Sequence, residues 1–176
     1  MTIRNLKVTG AYEMSYDKHE DDRGSFQELY SARNPTYDWC GELKNNIEQI
    51  NCSVSHRYVI RGIHEAPFRK LCTCLAGRIW DVVIDLREES PTYLAWEGVW
   101  LDPNNQKQIF VPARCGHGFI SAENNSILMY LQDGVYKPGG QKNWKYNDPK
   151  FGIKWPLKAF DQQYSLSPAD SKAECY

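Results

Sequence analysis

The chain lacks the features that would place it in a membrane, on a nucleic acid or outside the cell. No apolar run approaches the roughly 20 residues that a membrane-spanning helix needs, so a soluble protein without a membrane partner is expected. Lys and Arg number 21 against 22 Asp and Glu, a formal charge of −1. That balance removes the basic excess with which a protein neutralises nucleic-acid phosphates, while leaving room for a local basic pocket and a small anionic ligand. Met1-Thr2-Ile3-Arg4-Asn5 carries charge early and lacks the apolar stretch of a signal peptide, which points to the cytoplasm. Repeats, low-complexity tracts and linkers are also missing, so residues 1–176 are expected to form a single domain, a length sufficient for a sizeable core.

Cysteine is not lacking: Cys40, Cys52, Cys72, Cys74, Cys115 and Cys175 are present. A reducing compartment would keep them as free thiols, and a chain of this size has no need of bridges. Cys72-Thr73-Cys74 is spaced too tightly for the usual zinc ligand pair, and at a strand period of two both sulfurs face one side as small apolar groups.

The organising stretch is Arg61-Gly62-Ile63-His64, followed by Lys70 and an apolar run to Leu86. It brings an imidazole and an ammonium close together at the start of what reads as paired strands, the floor of an active site. Before it, residues 1–30 alternate short β-like pieces around the polar turn His19 to Gly24, a hairpin pattern. Residues 31–48 read as loop with one helical turn. From Gln49 the chain is strongly β: Gln49, Asn51 and Ser53 alternate with Ile50, Cys52 and Val54, so one face is polar. A polar inward face suits a barrel with a hydrophilic pocket. Simple alternation puts Arg61 opposite His64, and a bulge at Gly62 would turn both into one cavity. Trp80, Val82, Ile84 and Leu86 form an apolar row, and Pro91, Asp102 to Asn105, Val111-Pro112 and Glu123 to Asn125 punctuate further short strands, as in an all-β sandwich or barrel. Past Lys137 the composition reads as a wrapping loop. Ser167-Pro168-Ala169-Asp170 then has the form of a helix start: cap, proline at the first position, acid at the third.

In order along the chain stand Asp22-Arg23-Gly24 with Phe26 and Glu28, Gln49 and Asn51, Arg61 to His64, Lys70-Leu71, Asp81-Val82, Asp85 to Arg87, Ser90 to Thr92, Pro112, and His117 to Phe119. Tyr130, Tyr136 with Pro138, Asn147 to Pro149, Gly152 to Pro156, and Leu166-Ser167 with Asp170 follow. In these pieces the chain resembles the dTDP-4-dehydrorhamnose 3,5-epimerase family of nucleotide-sugar epimerases. The resemblance implies an all-β, cupin-type jelly-roll barrel with short peripheral helices, a homodimer, and a nucleotide-diphosphate 4-keto sugar as substrate in deoxysugar or heptose biosynthesis, on the way to cell-surface polysaccharide.

It also implies roles. His64 would be the base, Asp170 the carboxylate that orients it, Lys70 the cation facing the enolate oxygen, and Tyr130 the acid on the opposite face. Arg23, Glu28, Gln49, Asn51, Arg61, His117 and Tyr136 would line the substrate cavity, arginine forks suiting diphosphate oxygens. Taken singly, each has a plain structural explanation: a core histidine, barrel-filling tyrosines, a solvated lysine, a helix-capping aspartate. A nucleotide-sugar ketoisomerase and a non-catalytic nucleotide-sugar binder are the alternative readings. No metal or other cofactor is expected, because His64 and His117 lack the closely spaced histidine pair and nearby glutamate of metal-binding cupins. The chain departs from the family at Glu65 to Arg69, which is shortened, at Cys115-Gly116, and at Tyr146.

Overall fold

Two antiparallel sheets face each other in a computed structural model that describes residues 2–156 and 164–176. The six-stranded sheet runs in the order β1 (Ile3–Asn5), β2 (Tyr12–Ser15), β10 (Lys107–Val111), β7 (Lys70–Ala76), β12 (Ser126–Gln132), β5 (Gln49–Ser55). The five-stranded sheet runs β13 (Lys142–Asn143), β6 (Ile60–Glu65), β11 (Cys115–Ser121), β8 (Ile79–Asp85), β9 (Trp96–Leu101). Sequence neighbours repeatedly cross between the sheets, which is the jelly-roll arrangement expected. A separate hairpin, β3 (Lys18–Asp21) with β4 (Gly24–Gln27), carries the turn predicted between His19 and Gly24.

Cys72 and Cys74, which the period-two spacing puts on one face, lie between the sheets. Cys72 and Cys74 of β7 meet Ile79 and Val83 of β8, Ile109 of β10, Phe119 of β11 and Leu128 of β12 in one buried cluster. All six cysteines are free thiols, and Cys72 and Cys74 act as the small apolar fillers anticipated.

The other face of β8 is buried as well. Trp80, Val82, Ile84 and Leu86 point away from the interior and lie under an outer layer that includes Trp96, Trp100, Trp144, Trp155, Tyr146 and Phe151. The ring of Trp80 lies directly over Gly98, where an added Cβ would stand 1.9 Å from the indole.

Residues 31–48 are more helical than the sequence pattern suggested. Pro35–Asn45 forms 3₁₀ turns kinked at Gly41, and Tyr37, Cys40 and Leu43 are buried against the outer face of the six-stranded sheet. Their spacing of three is the period of a 3₁₀ helix, in which every third side chain eclipses, so a search at 3.6 residues per turn finds only a weak signal. The predicted terminal helix is α1 (Pro168–Ser171), with Ser167 as its N-cap accepting from the amide of Asp170.

Candidate active site

A cavity of about 280 Å³ opens between the sheets at the β5 end of the six-stranded one. The alternation of β5 is inverted relative to an ordinary amphipathic strand. Gln49, Asn51 and Ser53 face this cavity, while Ile50 and Val54 are 62% and 55% exposed on the outside.

The polar floor is tied together by its own amides. Gln49 Nε2 donates to Asn51 Oδ1 at 2.7 Å, Asn51 Nδ2 donates to Gln132 Oε1 at 3.2 Å, and Gln132 Nε2 reaches Gly134 O at 2.6 Å. The amide N of Tyr136 closes the set on Gln49 Oε1 at 2.8 Å, which seats the mouth of the cavity on its floor.

Both Arg61 and His64 line the cavity, because the alternation of β6 is broken where it was expected to break. His117 pairs with His64 and Phe119 with Arg61, so Gly62 and Ile63 together oppose the single residue Gly118. Gly62 has φ 108°, and a Cβ there would stand 2.6 Å from the carbonyl oxygen of His117. Only glycine fits. The guanidinium of Arg61 is braced by Ser55 Oγ and the carbonyl of Val54, each at 3.1 Å.

His64 Nε2 lies 2.7 Å from Asp170 Oδ1. Asp170 is 5% exposed, and its other oxygen accepts from Ser167 Oγ at 2.9 Å. Burial works to raise its carboxyl pKa, but hydrogen bonds and charge from His64, with help from Ser167 and the Gly62 amide, win and hold it below the ordinary aspartate value. Asp170 therefore sits in the first turn of α1 and grips the imidazole at once. The nitrogen left to face the cavity is Nδ1.

Lys70 is only 5% exposed, and among the described residues no carboxylate pairs directly with its ammonium. Its Nζ lies 5.6 Å from the ring centroid of Phe68 and 6.0 Å from that of Tyr130. Burial lowers its pKa, with Cys72 and Asp81 opposing the shift. Tyr130 reaches the cavity from β12, and burial raises its phenol above the ordinary range. His64 and Tyr130 thus project from opposite sheets into one space.

His117 lines the same cavity from β11, its Nε2 held by both oxygens of Asp81 at 2.9 and 3.0 Å. Asp81 is fully buried. No role was read for it in the sequence, although an acid inside Ile79–Asp85, an otherwise apolar strand, is a signal in itself: a buried carboxylate needs a partner. Gln132 and Phe68 are further lining residues that the sequence reading passed over.

Tyr136 stands at the mouth, 49% exposed. Arg23 and Glu28 are the two candidates that the chain does not bring to its own cavity. Arg23 sits on the β3–β4 turn, paired with Asp21 and largely exposed, and Glu28 accepts from Asn34 at 2.7 Å.

The sequence profile of the dTDP-4-dehydrorhamnose 3,5-epimerase family matches residues 5–176. A dTDP-4-dehydrorhamnose 3,5-epimerase of Streptomyces griseus is 41% identical over 160 residues, covering 88% of this chain and 78% of that protein. Among solved structures, an rmlC epimerase of Mycobacterium tuberculosis superposes with a TM-score of 0.92 at 36% identity, covering 99% of this chain and 88% of that one. A dTDP-6-deoxy-D-glucose-3,5-epimerase of Legionella pneumophila, solved with dTDP-4-keto-L-rhamnose, gives 0.90 at 31% identity, covering 99% of this chain and 92% of that one.

Proposed function

The chain belongs to the dTDP-4-dehydrorhamnose 3,5-epimerase family, and from that premise we propose that it inverts carbon 3 and carbon 5 of a nucleotide-linked 4-keto sugar in deoxysugar biosynthesis. The observation that carries this reading is the opposition of His64 and Tyr130 across the cavity, with Lys70 beside Tyr130.

The ketone acidifies the hydrogens on both neighbouring carbons. His64 Nδ1 removes one of them, and the imidazolium that forms is stabilised by the Asp170 carboxylate 2.7 Å from Nε2. The electron pair moves onto the ketone oxygen as an enolate, which meets the ammonium of Lys70 in a water-poor setting where a charge interaction is strong. Tyr130 then delivers a proton to the same carbon from the other sheet. Removal on one face and return on the other inverts the centre. Arg61 supplies positive charge for the diphosphate, with Gln49, Asn51 and His117 as polar walls.

Residues 1–176 would act as a single cytoplasmic domain within a homodimer. No helix among the described residues is long and apolar enough to cross a membrane. Two features support a second copy: the β5 edge with its exposed Ile50 and Val54, and the hairpin whose Phe26 is 72% exposed. In such a pair the hairpin is the element free to carry Arg23 and Glu28 toward the other subunit's cavity.

Incubation of a dTDP-linked 4-keto-6-deoxy sugar in deuterated water tests the function. Label at carbons 3 and 5 is the expected result. Migration of the ketone would make the protein an isomerase, and intact substrate without label would leave it a binder.

A further inference from the structure

The proposed chemistry makes no use of the short connection between β6 and β7. Its geometry is unusually constrained. Arg69 is fastened to Asp133 twice, amide N to Oδ1 and NH1 to Oδ2, both at 2.6 Å, and the Asp133 side chain is 5% exposed. A third contact joins Arg69 NH2 to Glu42 Oε2 at 2.7 Å. At the other end of the connection, the carbonyl of Ala66 accepts from the amide of Arg114 at 2.8 Å.

Between these anchors lies Phe68, which lines the cavity. It is seated on Gly134: a Cβ on that glycine would come within 2.8 Å of Phe68 Cβ and 2.9 Å of its Cδ1. Gly134 is itself fixed through its carbonyl to Gln132. The phenyl ring is therefore seated on Gly134, and its centroid stands 5.6 Å from the Lys70 ammonium, with the Tyr130 ring at 6.0 Å from the same atom.

We infer that Phe68 is a specificity-determining residue that sets which of carbons 3 and 5 the sugar presents to His64. The inference rests on the proposed epimerase function. Carbons 3 and 5 flank the ketone on opposite sides, so presenting each in turn to one base requires the ring to turn while its ketone oxygen stays near Lys70. A half-buried aromatic wall seated on Gly134 beside that ammonium obstructs one of the two orientations. Arg69 and Asp133 are positioning residues in this account, since they act only through the ring they hold.

The test is the ratio of deuterium exchange at the two carbons, measured by NMR on a dTDP-linked 4-keto-6-deoxy sugar. The parent protein exchanges the carbons at unequal rates, and Phe68→Ala brings the ratio toward one by about fivefold or more. Phe68→Leu, which keeps apolar bulk without the ring, shifts it the same way by less and serves if the alanine variant does not fold. A general loss of structure slows both exchanges together and does not move their ratio. A parent ratio already near one, or a variant ratio within twofold of the parent's, overturns the inference and leaves the epimerase function standing. Absence of exchange at both carbons in the parent overturns that function and this inference with it.

Discussion

Replacing Asp170 by Asn separates two jobs that one residue performs. Asp170 lies in the first turn of α1, where its amide donates to Ser167 Oγ at 3.0 Å, and its side chain holds His64 Nε2 at 2.7 Å. The cap joins the Ser167 side chain to the Asp170 backbone amide and survives the substitution. The carboxylate, by contrast, answers three donors: the imidazole, the Ser167 hydroxyl and the Gly62 amide. An amide offers one oxygen in place of two. Turned one way, its NH₂ faces Nε2 and forces the imidazole proton onto Nδ1, the nitrogen needed as base; turned the other, it faces its own donors. In neither case is a negative charge left to stabilise the imidazolium. Exchange should fall by about 10³–10⁴-fold, the scale on which loss of such an orienting charge acts. Stability should fall by at most ~1.5–3 kcal/mol, the worth of a hydrogen bond to a charged group. Ser167→Ala is the complement. It removes the cap, costs about 0.5–2 kcal/mol and leaves exchange within about tenfold of the parent. The pH dependence follows from the lowered Asp170 pKa. The stability it adds is complete above the ordinary aspartate value of about 3.9 and is lost as pH falls through the lower folded value, so parent and Asp170→Asn converge only in acid. Exchange by Asp170→Asn within tenfold of the parent, or an equal loss in Ser167→Ala, would refute the reasoning.

His64→Asn should abolish exchange at both carbons with the melting temperature nearly unchanged, since the side chain faces the cavity; residual exchange within a few-fold of the parent would remove it as the base. Gln132→Leu leaves the carbonyl of Gly134 and the amide of Asn51 without their partner, so denaturant unfolding should show a loss of about 1–3 kcal/mol, and an unchanged midpoint would mean that the amide network does not hold the floor. On the proposed mechanism Lys70 acts as an ammonium, and burial lowers its pKa, so kcat should decline as pH rises through a value below the ordinary lysine pKa of about 10.4; a plateau that extends beyond that value would contradict its role. Sedimentation at micromolar concentration should give a dimer, and a monomer would leave the hairpin and the β5 edge without the covering proposed for them.

The sequence made the barrel legible because period-two alternation survives in β5 and short apolar runs mark the buried strands β7 and β8, and it made the bulge legible because a glycine sat between two side chains that needed the same side. The 3₁₀ turns of Pro35–Asn45 were hidden by their period of three. The capping and histidine-holding readings of Asp170 are geometrically compatible: capping geometry fixes the backbone and leaves both carboxylate oxygens free to accept. The pairing of Asp81 with His117 was not visible, because it joins neighbouring strands whose register no local pattern gives. The placing of Arg23 and Glu28 away from the cavity was equally invisible, since order along the chain does not say where a hairpin packs.

His64 and the acid that holds it are separated by 106 positions, and α1 closes the distance. Every strand of the two sheets except β13, and the bulge at Gly62, lies before residue 135, so most of the cavity's walls come from a part of the chain that does not contain Asp170. On the proposed mechanism the seating of α1 against β6 is then a separate docking step, and its loss would silence proton transfer while leaving the sheets in place.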